Sequence, residues 1–165
     1  MPLPEFTSIS VCLSSLRRPG RDMAPTEAKA SCLYPNSARA LREANARGFD
    51  NAIIKDPNGS VVELATANLW FVKKGRVVTP AENGTFLSGI TRNRIKKLLH
   101  TDGVEIEERT VDYQEILNSD EAFSTGNYAK VTPIGRVEER KKDIGPVTRR
   151  ARELYMDWAK GFPIP

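Results

Sequence analysis

Apolar residues along this chain recur with two periods, and each change of period marks an element boundary. Residues 7–16, rich in β-branched and small side chains, predict a strand that Arg17-Arg18-Pro19-Gly20 breaks. From Tyr34 the period becomes helical: Ala38, Leu41 and Ala44 share a face, Asn36 serves as N-cap and Gly48 stops the helix. Residues 51–54 and 60–63 flank Asp56-Pro57-Asn58-Gly59, turn chemistry that predicts a hairpin. Residues 68–72 and 76–78 form a second pair around Lys74-Gly75. Thr91 caps a helix striped by Ile95, Leu98 and Leu99 that ends at Gly103. Residues 104–107 alternate as a half-buried strand, 113–117 form a short helix, and 121–125 and 130–134 are further strands. A last helix starts at Pro146 and aligns Val147, Ala151, Leu154 and Trp158. Helices and strands interleave without repeats, which predicts an α/β fold.

Composition narrows the function classes. At 165 residues and 39% apolar content, the chain can bury one sizeable core, so residues 1–165 are expected to form one domain. The net charge of +4 is spread among interspersed acids and bases, with no basic stripe interleaved with aromatics, which argues against a nucleic-acid partner. Lys96-Lys97, Arg140-Lys141-Lys142 and Arg149-Arg150 read as solvated faces. Two cysteines are too few for a disulfide framework; Cys32 reads as a small buried hydrophobe and the single His100 as a helix-end residue, so no metal site is expected. No apolar run is long enough to span a bilayer and no secretory leader appears, so the expected setting is the cytoplasm, without a membrane partner.

The chemistry concentrates between Val61 and Arg92. Glu63 sits among Val61, Val62, Leu64 and Ala65, where a carboxylate is costly to bury unless a cation or donor meets it. Gly89-Ile90-Thr91 opens a helix, and free N–H groups at such an end attract anions. Each has an ordinary reading, a solvent-facing glutamate and a simple cap. Together they suit a ligand with a protonatable nitrogen at one end and a phosphate at the other, as in pyridoxal phosphate.

The order Glu63-x-Ala65-x-x-Asn68-Leu69-Trp70, then Val77-x-Thr79, then Leu87-x-Gly89-Ile90-x-Arg92 resembles the signature of the class IV (fold type IV) pyridoxal-phosphate aminotransferases. That family includes branched-chain amino acid aminotransferases, D-amino acid aminotransferases and aminodeoxychorismate lyases. Trp70 stands where the pattern prefers Phe or Tyr. The resemblance runs from about Met23 to about Trp158, and it implies the large C-terminal domain of these enzymes, a mixed sheet or pseudo-barrel with flanking helices. The family's small N-terminal domain has no counterpart before Phe6, so the chain is expected to be the cofactor domain, weakly active or inactive alone.

The resemblance also implies roles. Lys29 matches the lysine that binds pyridoxal phosphate covalently and then shuttles the substrate's α-proton. Tyr34 matches a tyrosine bonded to the cofactor's phenolic oxygen, and Glu63 the carboxylate facing its pyridine nitrogen. Leu87 would pack on the ring, while Ile90 and Thr91 would present the phosphate cup. The turn Ser124-Thr125-Gly126-Asn127-Tyr128 matches one beside the phosphate and the substrate carboxylate, implicating Gly126, Asn127 and Tyr128; the common version reads Gly-Thr-Ala, so an amide replaces a hydroxyl at Asn127. That turn and the Lys29–Asn36 segment are most similar to the branched-chain subgroup. The implied reaction is amino transfer between leucine, isoleucine or valine and 2-oxoglutarate; a D-amino acid aminotransferase or aminodeoxychorismate lyase of the same fold, or a non-catalytic remnant serving as an interaction domain, are the alternative readings. Amino acids and 2-oxo acids are then the partners, and a homodimer the implied assembly.

Overall fold

The computed structural model describes residues 6–161. In chain order these form β1 (Ile9–Arg17), α1 (Tyr34–Ala46), β2 (Asn51–Lys55), β3 (Val61–Leu64), β4 (Asn68–Lys73), β5 (Arg76–Pro80) and α2 (Ile90–Thr101). Then come β6 (Ile106–Arg109), α3 (Tyr113–Leu117), β7 (Glu121–Gly126), β8 (Lys130–Val137), β9 (Arg140–Lys141) and α4 (Pro146–Lys160).

The strands make one mixed sheet in the order β3-β2-β1-β8-β7-β4-β5-β6, with β9 paired to β8. Strand β1 runs parallel to both β2 and β8, and β5 runs parallel to β6. The sheet curls until its edges meet. Val61 on β3 bridges Val111, just past β6, and donates its N–H to the Val111 carbonyl at 2.9 Å. The expected α/β fold with a pseudo-barrel sheet and flanking helices is therefore what the sequence forms.

Curling buries both faces of the central strands. Val11, Ile53, Leu64, Leu69, Phe71 and Ile134 fill the concave side. On the convex side Trp70, Val72 and Phe123 pack against Ile95 and Leu99 of α2 and Ala151 of α4. Cys12, Ala52 and Ile54 pack under Ala40 and Ala44 of α1. A strand covered on both sides reads as a continuous apolar run, which is why residues 51–54 and 69–72 do not alternate. Trp70 and Phe123 are cross-strand partners, with rings stacked at 5.7 Å.

One carboxylate in this core is structural. The first turn of α4 has no side-chain cap of its own at Gly145. Glu121, on β7, supplies one: it accepts from the Thr148 N–H and hydroxyl, both at 2.8 Å, and from the Val147 N–H at 3.3 Å. A Cβ on Gly145 would come within 2.1 Å of the Glu121 carboxyl carbon, so glycine admits the approach. Glu121→Ala is expected to lower unfolding stability by roughly 2–3 kcal/mol, a lost cap plus donors left unpaired. The urea midpoint measures this, and an unchanged midpoint would refute the capping role.

Several sequence expectations shift. The first strand lies at Ile9–Arg17 rather than 7–16. Asn36 is not the cap of α1, because a 3-10 turn at Ser31–Leu33 feeds the helix at Tyr34, and the Asn36 amide donates to the Arg17 carbonyl at 2.8 Å. The buried face of α1 is Ala40 and Ala44, with Leu41 half-buried and Ala38 exposed along a cleft. The strand expected at 104–107 lies at 106–109, since Val104 still bonds back to Leu99 at the end of α2. Cys32 is exposed, because only Leu33 of its 3-10 turn faces inward; the buried cysteine is Cys12. Lys142 is half-buried rather than solvated, and donates to the Ser119 carbonyl at 2.7 Å. Burial lowers its pKa to about 8, helped by the nearby Arg140 and Lys73 charges.

Candidate active site

Strand β3 is buried along its whole length and carries Glu63 into the end of the curled sheet, 7% exposed. Arg18, immediately after β1, is buried beside it, with Nε 3.2 Å from Glu63 Oε1. Two of Arg18's donors are engaged elsewhere: Nε donates to the Thr85 carbonyl at 2.9 Å and Nη2 to the Thr26 carbonyl at 3.2 Å. Glu63 thus has a charge partner but, among the described residues, no hydrogen-bond donor. Burial pushes its pKa up to about 7, with Arg18 opposing the rise.

Helix α2 enters the same space by its N-terminus. Its N-cap is Gly89, with no side-chain cap bond, so Thr91 lies at the second helical position and is not the expected cap. The first N–H groups of such a helix lack intrahelical acceptors. Among the described residues the Thr91 hydroxyl has no hydrogen-bond partner either. Asn68, the first residue of β4 and paired with Thr125 of β7, donates its amide to the Leu87 carbonyl at 2.9 Å and holds the turn before the helix. A Cβ on Gly89 would meet Asn68 Oδ1 at 2.2 Å, so this close approach requires glycine.

Glu63 and the α2 end lie in one cleft of about 760 Å³. Of the predicted site residues, Lys29, Tyr34, Glu63, Leu87, Ile90, Thr91, Gly126 and Asn127 all line it. Lys29 is exposed in the loop before the 3-10 turn and has no ion pair or hydrogen bond among the described residues. Tyr128 is not on the wall; it stands 83% exposed at the tip of the β7–β8 turn.

Sequence reasoning missed Arg18, Asn68 and Lys130 as cleft residues. Asn68 was visible inside the motif, and Arg18 was hidden in what looked like a strand breaker. Lys130 adopts a left-handed φ of 63°, and its Nζ donates to Asn127 Oδ1 at 3.0 Å. No local signal marks a lysine for that conformation. The lining charges are Arg18, Lys29 and Lys130 against Glu63, a balance that favours an anionic ligand. Among the described residues no cluster of His, Cys, Asp or Glu could hold a metal ion, and no helix is long and apolar enough to cross a membrane.

A curled mixed sheet thus brings an uncapped helix end, a buried carboxylate and a lysine without a partner among the described residues together around one cleft. Residues 1–137 match the family described as amino-transferase class IV, and the chain belongs to that family. It is 39% identical over 156 residues to a branched-chain-amino-acid aminotransferase of Pseudomonas aeruginosa, covering 93% of this chain and 50% of that protein. A probable branched-chain-amino-acid aminotransferase of Aquifex aeolicus is 38% identical over 153 residues, covering 90% and 49%. A crystal structure of a Brucella abortus aminotransferase bound to the co-factor PLP superposes with a TM-score of 0.95 at 50% identity, covering 98% of this chain and 57% of that one. The PLP form of a Thermobaculum terrenum branched-chain amino acid aminotransferase gives 0.91 at 35% identity, covering 95% and 52%. The chain spans about half the length of the curated relatives it matches.

Proposed function

We propose that this chain forms the pyridoxal phosphate-binding domain of an enzyme that transfers amino groups between branched-chain amino acids and 2-oxoglutarate. The observation that carries the reading is the pairing, in one cleft, of a buried carboxylate without a donor and a helix N-terminus without a cap. These are the two complements of the cofactor, whose ring nitrogen needs an acceptor and whose phosphate needs donors, so the residues fit the group. The relatives named as branched-chain aminotransferases support the substrate class.

In this reading Lys29 holds the cofactor covalently. The N–H groups of Ile90 and Thr91, with the Thr91 hydroxyl, take the phosphate. Tyr34 bonds the phenolic oxygen, Leu87 packs on one ring face, and the turn at Gly126 and Asn127 takes the substrate carboxylate, with Tyr128 outside the cleft. Bound pyridoxal phosphate supplies the electron-withdrawing ring that acidifies the substrate Cα–H. The chain's own residues manage protons and position. Glu63 holds a proton between its carboxylate and the ring nitrogen, and Arg18 keeps that carboxylate aligned. The Lys29 amine, free of other partners in the cleft, takes up the α-proton and returns it. The working unit in this reading is a cytoplasmic homodimer, and sedimentation of the loaded protein measures its mass.

The test is to add pyridoxal phosphate to the purified chain and follow visible absorbance, then to add leucine. Saturable absorbance that leucine bleaches only slowly, with little or no glutamate formed on adding 2-oxoglutarate, is the expected result; no saturable absorbance would overturn the reading. Thr91 offers a sharper check. Because it is not the cap, Thr91→Ala should move stability by no more than about 0.5 kcal/mol. Cofactor affinity should fall about tenfold, the worth of one hydrogen bond to a charged group. Equal affinities in a cofactor titration would leave Thr91 without a role in the cup.

A further inference from the structure

The turn that presents the anion cup is held from below by a buried arginine acting through two side chains. Arg92, in the first turn of α2, is fully buried between the rings of Trp70 and Phe86, at 5.8 and 5.9 Å. Its Nη2 donates to the Pro80 carbonyl and to Glu108 Oε2, both at 2.9 Å. Its Nη1 donates to Glu82 Oε1 at 2.9 Å. That same Glu82 oxygen accepts the Ser88 hydroxyl at 2.6 Å, and Ser88 Oγ in turn accepts from the Asn93 amide at 3.0 Å. Ser88 immediately precedes the N-cap Gly89 and lines the cleft.

We propose that Arg92, Glu82, Ser88 and Asn93 form a clip that fixes the 87–89 turn so that the N–H groups of Ile90 and Thr91 converge on the cofactor phosphate. Glu82 and Ser88 are positioning residues, acting through the backbone they hold. The inference rests on the reading of the α2 end as the phosphate cup. The chain of bonds runs from a fixed point to a movable one. Arg92 is anchored by β5, by Glu108 and by two aromatic rings, whereas the 87–89 turn lies outside any strand or helix. Its other described side-chain anchor is the Asn68 bond to Leu87. Without the clip, the helix keeps its position while the turn gains freedom, and donors must then be ordered when the anion binds.

Charge makes the test discriminating. Removing a carboxylate close to an anion site should by Coulomb attraction alone tighten the anion. The clip predicts the opposite. Pyridoxal phosphate and pyridoxal, which lacks the phosphate, are titrated into parent, Glu82→Ala and Ser88→Ala proteins, with reductive trapping and fluorescence as readouts. The clip predicts that both variants bind pyridoxal phosphate about tenfold more weakly, the loss of one charge-assisted bond. Pyridoxal affinity should stay within about twofold, while the melting temperature of Glu82→Ala should fall by roughly 2–6 °C because buried Arg92 Nη1 loses its described acceptor and keeps only the Nη2 bonds. Unchanged or tighter pyridoxal phosphate binding in Glu82→Ala would overturn the clip, as would equal losses for both ligands. A parent protein that binds pyridoxal as tightly as pyridoxal phosphate would overturn the cup itself, and the inference with it.

Discussion

Lys29→Ala is expected to abolish covalent attachment of pyridoxal phosphate while leaving the fold untouched. Lys29 is exposed in a loop and has no partner among the described residues, so its removal costs no packing and no ion pair. A surface change of this kind stays within about 0.5 kcal/mol of the parent. The chemical loss is far larger, because a positioned acid–base group is worth about 10²–10⁴ in rate. Borohydride reduction of the loaded parent followed by peptide mapping should place the cofactor on Lys29 and nowhere else. Lys130 is the other lysine on the wall, but its Nζ is engaged by Asn127 at 3.0 Å. A label on Lys130 or Lys73, or a variant that still traps cofactor, would sink the assignment.

Glu63→Gln should move stability and function in opposite directions. The Glu63 carboxyl is shifted from an ordinary 4.5 to about 7 by burial, so the folded protein binds that proton more tightly than the unfolded chain. Its contribution to stability is therefore present below pH 4.5 and is lost as pH rises through about 7. The shift corresponds to roughly 3 kcal/mol of stability lost by the cofactor-free parent over that window. Glutamine does not titrate, so the variant should lack this decline and be the more stable of the two, relative to its own acid value, at pH 8. In the loaded protein, the same substitution removes the partner of the ring nitrogen and should slow the leucine half-reaction about a hundredfold. Parallel stability–pH curves for the two apo-proteins would show that Glu63 carries no such burden, and an unchanged half-reaction would make it structural.

Much of this could be read in the chain. Glu63 stood out because a carboxylate inside an apolar run needs a reason, and the reason lies in the cleft. The second hairpin and the 113–117 helix are local structures with strong turn or cap signals; Asp112 and Glu115 form a capping box at the latter. What stayed hidden depends on long-range contact. Arg18 became a site residue because the curl of the sheet brings the end of β1 against β3 and the 84–86 segment. Threonine favours an N-cap, which is why the sequence points to Thr91. The position went instead to Gly89, since Asn68 leaves no room there for a larger residue. Cys32 lies outside the core because a 3-10 turn, which shows no apolar period, rotates it outward.

On the proposed reading of the Glu63 cleft, the seam that closes the curled sheet would tie cofactor retention to the breathing of the fold. Among the described residues the Val61–Val111 bridge, with the Val61 N–H donating to the Val111 carbonyl, joins the two edges, and Glu63 lies two residues further along the same strand. Native-state hydrogen exchange reads such a bond directly, because the Val61 amide exchanges only when the seam parts. Each opening displaces the strand that carries the carboxylate, so opening and ligand release draw on the same equilibrium. A ligand held at Glu63 slows exchange at Val61 in proportion to its occupancy, and a seam loosened by mutation of Val111 shortens the residence time of a ligand it never touches.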